Sequence, residues 1–280
     1  MMTRVLLAVA ATALSVLPAL AAEHSSQDYV LHGDAVKAQT VTEGAARYQQ
    51  KTYTFPTGSI RILEFKKDAG GVFHKVGDET ALRIMRGTAE VEVDGKKVAL
   101  KEGDVVQSPK GVVRSAGQPE DTTILLWKVT GTQPNPPTKV YAFATDAVTS
   151  VSKEWDQDGK HVRATKPEEL AAAPKDALEL TIRRFNLDGN SVRAVHSTKG
   201  VTSVSSGRID ALLYVVRGHA TFVEDDKEYP VGPGDAIREA AGARHYWKRS
   251  EPHFEFVSTS TAPLTSGPAK IPDGVREDAR

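Results

Sequence analysis

Short runs of alternating apolar and polar residues, broken by Gly, Asp and Lys, dominate the chain. Ala89-Glu90-Val91-Glu92-Val93 alternates, Asp94-Gly95 is a hairpin-turn dipeptide, and Val98 and Leu100 resume the alternation. The arrangement occurs twice. The first copy runs from Arg86-Gly87 through TAEVEVDGKKVALKE to Gly103-Asp104, and the second from Arg217-Gly218 through HATFVEDDKEYPVGP to Gly234-Asp235. The Gly-to-Gly spacing is 16 in both copies and the offset between them is 131 residues. Upstream, Ile60–Phe65 (IRILEF) and Leu180–Phe185 (LTIRRF) are expected to correspond. Many short strands with glycine turns, repeated, predict an all-β architecture of two barrels or double-sheet sandwiches.

The segments outside the repeat read differently. Arg4 is followed by an apolar run, Val5 to Val16, relieved only by Thr12 and Ser15. Pro18 and the small residues of Ala19-Leu20-Ala21 follow. This is the pattern of a secretory signal over residues 1–21, cut after Ala21 or Ala22. An uncleaved anchor is the alternative, but the run is at the lower edge of spanning length and Pro18 interrupts it. Between the copies, residues 131–175 read as a linker. It starts at the stiff Thr132-Gln133-Pro134-Asn135-Pro136-Pro137 and holds one short helix, capped by Thr165 with Glu168 and ended at Pro174. Residues 261–280, rich in Pro, Gly, Ser and charge, predict a disordered tail.

Composition narrows the function. Lys+Arg 36 balance Asp+Glu 36 in 280 residues, so no basic face is available for nucleic acid or a polybasic membrane contact. Cysteine is absent, which excludes disulfides, thiolate nucleophiles and Cys-ligated zinc. No phosphate-cradling glycine loop and no Gly-x-Ser-x-Gly elbow occurs. The expected location is periplasmic or secreted, with no membrane association after signal cleavage.

The repeated motifs resemble those of the cupin superfamily, and specifically of a bicupin. Gly103-Asp104-Val105-Val106-Gln107-Ser108-Pro109-Lys110-Gly111 has the spacing of the second cupin motif. So does the run from Gly234-Asp235 through Gly242 to His245, with Ala240 where Pro is usual. The resemblance covers residues 45–130 and 176–260. It implies two tandem cupin-type jelly-roll barrels, each with an internal ligand pocket. It also implies one divalent ion (Fe, Mn, Ni, Cu or Zn) held by three His and one Glu. The ligand positions depart from that set. They are His74, Val76, Thr80 and Arg114 in the first copy, and Ser205, Gly207, Ala211 and His245 in the second. Each barrel keeps one imidazole. Glu79 and Asp210 stand one residue before the expected Glu, where alternation turns them away from the pocket unless a bulge reverses it. With such a bulge the metal candidates are His74 with Glu79 and Asp210 with His245; without it the acids face solvent or a domain interface.

The ligand-binding candidates are therefore His245, Trp247, Ser205, Arg114 and His74. His245 and Trp247 share a strand face, an imidazole beside an indole that suits a ring-shaped or sugar-like ligand. The same pair reads equally as a core Trp with a satisfied His. Arg114 would favour an anion in the first pocket. The leading reading is a periplasmic bicupin that binds a small organic ligand without a full metal site. The alternative is an atypical metal-dependent or acid–base cupin enzyme (lyase, isomerase or oxygenase) acting on a sugar acid or phenolic compound. Both leave room for a homodimer.

Overall fold

The computed structural model describes residues 29–43, 46–67, 72–76, 79–93, 95–108, 111–115, 121–130, 136–188, 190–206 and 210–260. The expected signal segment and tail lie outside these residues. The first half of the chain forms β1 (Val30–Leu31), β2 (Gln39–Glu43), β3 (Ala46–Phe55), β4 (Gly58–Phe65), β5 (Val72–Val76) and β6 (Ala81–Arg86). It continues with β7 (Thr88–Val93), β8 (Lys96–Lys101), β9 (Val105–Gln107), β10 (Gly111–Ser115), β11 (Thr122–Val129) and β12 (Lys139–Tyr141). Next come β13 (Val148–Gln157), β14 (Lys160–Ala164), helix α1 (Pro167–Ala172), β15 (Leu178–Leu187), β16 (Asn190–Ser197), β17 (Gly200–Val201) and β18 (Ser205–Ser206). The chain closes with β19 (Ala211–Arg217), β20 (Ala220–Glu224), β21 (Lys227–Val231), β22 (Ala236–Glu239), β23 (Arg244–Arg249) and β24 (Phe254–Ser260).

These strands form two double-sheet barrels, as the repeat predicts. The first pairs a seven-stranded sheet, β12-β9-β6-β11-β4-β3-β2, with a four-stranded sheet, β5-β10-β7-β8. The second pairs an eight-stranded sheet, β1-β22-β19-β24-β16-β15-β13-β14, with a five-stranded sheet in which β17 and β18 both join β23 ahead of β20 and β21. The repeated glycines serve the same turns in both barrels. Gly87 and Gly218 have φ of 75° and 76°, and Gly103 and Gly234 have 90° and 94°. Two-residue hairpin turns follow, Val93 facing Lys96 and Glu224 facing Lys227. The second turn puts Asp225 and Asp226 at φ 47° and 63°, where the first has Gly95 at 73°.

Three expectations need correction. The expected linker is no spacer, because β12 joins the first barrel's large sheet and β13 and β14 join the second's. Their alternation is weak because β12 has only three residues and the buried positions of β13 are the polar Ser152 and Glu154. Ile60–Phe65 and Leu180–Phe185 are not equivalent either. β4 lies beside β11 as β16 lies beside β24, so the partner of β4 in the repeat is β16, and β15 corresponds to β3. The helix starts later than predicted, with Lys166 as N-cap. Its acid is Glu169, whose carboxylate accepts the backbone N–H groups of Thr165 and Lys166 at 3.3 and 3.4 Å.

The barrels are joined by reciprocal strand exchange. β1, which precedes the first barrel, caps the second barrel's large sheet with Leu31 opposite Ala236. β12, which precedes the second, caps the first barrel's sheet with Tyr141 opposite Val105. The two large sheets then pack back to back. Alternation along β11 sends Ile124 and Leu126 into the first barrel and Leu125 and Trp127 between the barrels. Along β16, Val195 enters the second barrel while Val192 and Ala194 join the inter-barrel core. Each large side chain buried there contributes about 1.5–3 kcal/mol.

The turn glycines differ in what surrounds them, and this gives a test. A Cβ on Gly218 would lie 2.2 Å from the His253 carbonyl oxygen, whereas one on Gly95 would meet nothing within 4 Å. Gly95→Ala should cost about 1 kcal/mol, the left-handed backbone term alone. Gly218→Ala should cost clearly more in chemical denaturation. Equal losses would contradict the close approach.

Candidate functional site

The interior of the second barrel has an apolar end and a polar end. At the apolar end Trp247 stacks on Phe256 at 5.3 Å and 9°, and touches Phe222 and Phe254 at 5.0 and 5.3 Å. Trp247 shares the inward face with His245, as alternation predicts. Its ring is buried in this aromatic cluster, however, and offers no free stacking platform.

The polar end is built around His245. β23 pairs with β20 so that His245 lies opposite Glu224, and β18 places Ser205 on its other side. Ser205 Oγ and His245 Nε2 share a hydrogen bond of 2.9 Å, whose direction follows the tautomer. Glu239 Oε1 lies 3.8 Å from the same nitrogen and accepts the Trp247 indole N–H at 3.4 Å. Ser205 is reached through a tethered loop: the buried Glu154 on β13 accepts the Ser203 N–H at 2.8 Å and His161 Nε2 lies 3.2 Å from it. Two atoms of the cluster, His245 Nδ1 and Glu224 Oε2, are buried without a hydrogen-bond partner among the described residues.

Glu224 is the unusual group. Burial pushes its carboxyl up to about 7, and the charges of Glu239 and Asp225 add to the rise, against the N–H of Ala240 donating to Oε1 at 3.0 Å. Sequence reading missed it because Glu224-Asp225-Asp226 looks like a polar turn; only its inward parity on β20 marks it. Arg184, Arg193 and Glu239 were missed in the same way, as charged residues at inward positions on otherwise apolar strands.

The remaining predicted site residues fall elsewhere. Asp210 does not meet His245. Its carboxylate accepts from Arg238 Nε and from the Ala241 N–H, both at 2.7 Å. Burial works against its ionisation, but these two donors prevail and hold it below its usual range. Arg238 lies on the face of β22 opposite Ile237 and Glu239, so the bulge that would aim Asp210 inward is not formed. Glu79 is likewise engaged, in an ion pair with Arg61. His74 and Arg114 sit on β5 and β10, with His74 opposite Val113 and Arg114 opposite Phe73 and Glu90. Their side chains lie outside the described residues. An open cleft of about 540 Å³, lined by His32, His219 and Asp235 among others, includes none of the residues of this cluster.

These donors do not fit the three-His, one-Glu ion. Ala211 offers a methyl group where a carboxylate is needed, Gly207 lies outside the described residues, and Asp210 is committed to Arg238. Among the described residues no three His, Cys, Asp or Glu side chains come together in a way that could hold a metal.

Residues 205–258 match the Cupin domain family. The fold is similar to that of a putative glyoxylate-induced protein from Pseudomonas aeruginosa, at 18% identity and TM-score 0.58 over 87% of this chain and 92% of that one. Streptomyces albus HEPD, solved with 2-hydroxyethylphosphonate and Fe(II), matches at 11% identity and TM-score 0.58 over 88% and 79%. Lactobacillus farciminis oxalate decarboxylase, solved as a formate complex, matches at 12% identity and TM-score 0.56 over 86% and 88%. No curated protein matches the sequence.

The Glu224 carboxyl gives a pH test. Below its ordinary pKa the acid is neutral in folded and unfolded chains alike. As pH rises from 4.5 to about 7 the unfolded chain ionises first, so the folded state loses stability across that window. Glu224→Gln keeps an acceptor for Ala240 and should flatten the loss, raising stability at pH 8 by up to about 3 kcal/mol. Identical pH profiles of thermal unfolding for the two proteins would contradict the assignment.

Proposed function

We propose that the protein binds a small organic molecule in the polar end of the second barrel, the part of the chain that matches the Cupin domain family, without a family-type metal. The observation that supports this is the orphaned pair at its centre. His245 Nδ1 and Glu224 Oε2 are buried on facing strands with nothing among the described residues to satisfy them. Leaving such groups unpaired costs about 1–3 kcal/mol each, and a bound polar ligand would remove that cost. The first barrel supplies support, since its large sheet forms half of the inter-barrel core.

A second reading is an enzyme that works by acid–base chemistry. The Glu224 carboxyl, raised to about 7, exchanges its proton near neutrality and faces an imidazole across one strand pair. In that reading Glu224 holds or releases a proton while Ser205 and Glu239 orient the His245 ring. The similar structures include proteins named as enzymes, which favours considering it. Turnover of a ligand found by binding separates the two readings.

Metal analysis and ligand-induced thermal shift on untagged protein test the proposal together. Sub-stoichiometric metal and a ligand-stabilised melting point are expected, with His245→Ala weakening binding about 2–10-fold, the loss of one hydrogen bond. Near-stoichiometric Fe, Mn, Ni, Cu or Zn, lost on substitution of His245, would overturn it.

A further inference from the structure

The two barrels differ at one inward arginine. Arg61 on β4 lies opposite Leu126, and Arg193 on β16 lies opposite Ser258, at equivalent places in the two large sheets. In the first barrel Arg61 is neutralised by Glu79. In the second the acid at the repeat position of Glu79 is Asp210, and it is drawn off to Arg238 on the other face of β22. Arg193 is left without that counter-ion.

Its surroundings add to the imbalance. Arg184 lies directly opposite Arg193 on β15, and its charge and burial both push the Arg193 guanidinium below its usual pKa, burial more strongly. The Nε atoms of Arg184 and Arg193 and the Oγ of Ser258 are buried without hydrogen-bond partners among the described residues. Ser191 and Ser260 lie beside them, their hydroxyls 3.4 Å apart. Arg249 also bears on this interior, from the apolar end, where it lies over the Trp247 and Phe254 rings. The carboxylates that act on these guanidiniums are Glu239 and Glu154. Glu239 is the carboxylate that bears on Arg193, and it is also 3.8 Å from His245 Nε2, while Glu154 is already paired with Arg163 and His161.

We infer that the ligand of the second barrel is an organic carboxylate, gripped by Arg193 and Arg184 with Ser258 beside them. The inference rests on the reading that this barrel is the binding site. A guanidinium pair matches the two in-plane oxygens of a carboxylate. Glu239 next to the arginines, with Glu224 in the same interior, would repel a second negative charge, which favours a monoanion over phosphate. This places the anion in the second barrel and not at Arg114 of the first.

The test uses the mature full-length protein and titration calorimetry with glycolate, lactate and benzoate, each against its amide, and with inorganic phosphate. At least one acid should bind at least tenfold more tightly than its amide and than phosphate. Arg193→Gln should abolish that preference, Arg193→Lys should retain part of it, and Arg61→Gln in the first barrel should leave it intact. Because Arg193 has no ion-pair partner among the described residues and its Nε is buried without a hydrogen bond, Arg193→Gln should keep or raise the melting temperature of the unliganded protein, which a purely structural arginine would not do. Equal affinity for acid and amide, preference for phosphate, or an unchanged preference in Arg193→Gln overturns the carboxylate while leaving the pocket in place. If no probe binds, both the carboxylate and the second-barrel site fall.

Discussion

Two buried carboxylates, Asp104 and Asp235, hold this molecule together. Each follows a glycine with positive φ and does two things at once. Asp104 accepts the Lys101 N–H of its own turn at 3.0 Å and the Phe143 N–H of the segment crossing from the linker at 2.8 Å. Asp235 accepts the Gly232 N–H at 2.9 Å and the Gly33 N–H of the amino-terminal segment at 2.8 Å. The exchanged strands are thereby locked onto the sheet edges they cover, which would otherwise present unpaired backbone groups. Tyr53 adds a hydrogen bond from its hydroxyl to the Gly234 carbonyl at 2.7 Å. With both segments docked, the large sheets bury their outer faces against each other. Each barrel interior is then enclosed between its large sheet and its smaller one.

The interiors are alike in backbone and unlike in charge. The first contains a matched arginine and glutamate, Arg61 and Glu79. The second contains an arginine pair with no ion-pair partner among the described residues, a carboxyl that burial raises to about 7 and a histidine whose Nδ1 has no hydrogen-bond partner among the described residues. The commitment of Asp210 to Arg238 leaves Arg193 without the partner that Arg61 has, and Arg184 stands where the first barrel has Thr52. Both barrels depart from the family's metal ligands, and in the second the buried Nε atoms of Arg184 and Arg193 lack partners among the described residues.

Much of this was legible in the sequence because it rests on spacing. The Gly-Asp pairs, the hairpin turns and the shared face of His245 and Trp247 all follow from local periodicity. The linker strands were not legible, since β12 has only three residues and the buried positions of β13 are the polar Ser152 and Glu154. The IRILEF and LTIRRF runs misled because two adjacent strands of one sheet carry similar apolar patterns, and only pairing tells them apart. Glu224 and Arg193 were hidden for another reason. A charged residue on an apolar strand reads as solvent-facing unless the barrel's inward parity is known, and that parity depends on the register with β23 and β24. The fate of Asp210 depends on Arg238, 28 residues away, which spacing alone does not connect.

The central claim, one working pocket inside the second barrel, is tested most directly by hydrogen exchange with and without a bound carboxylate. The account predicts added protection in β16, β20, β23 and β24, around Arg193, Glu224, His245 and Ser258, with the first barrel unchanged. Protection centred on β5 and β10, around His74 and Arg114, would contradict it and assign the site to the first barrel.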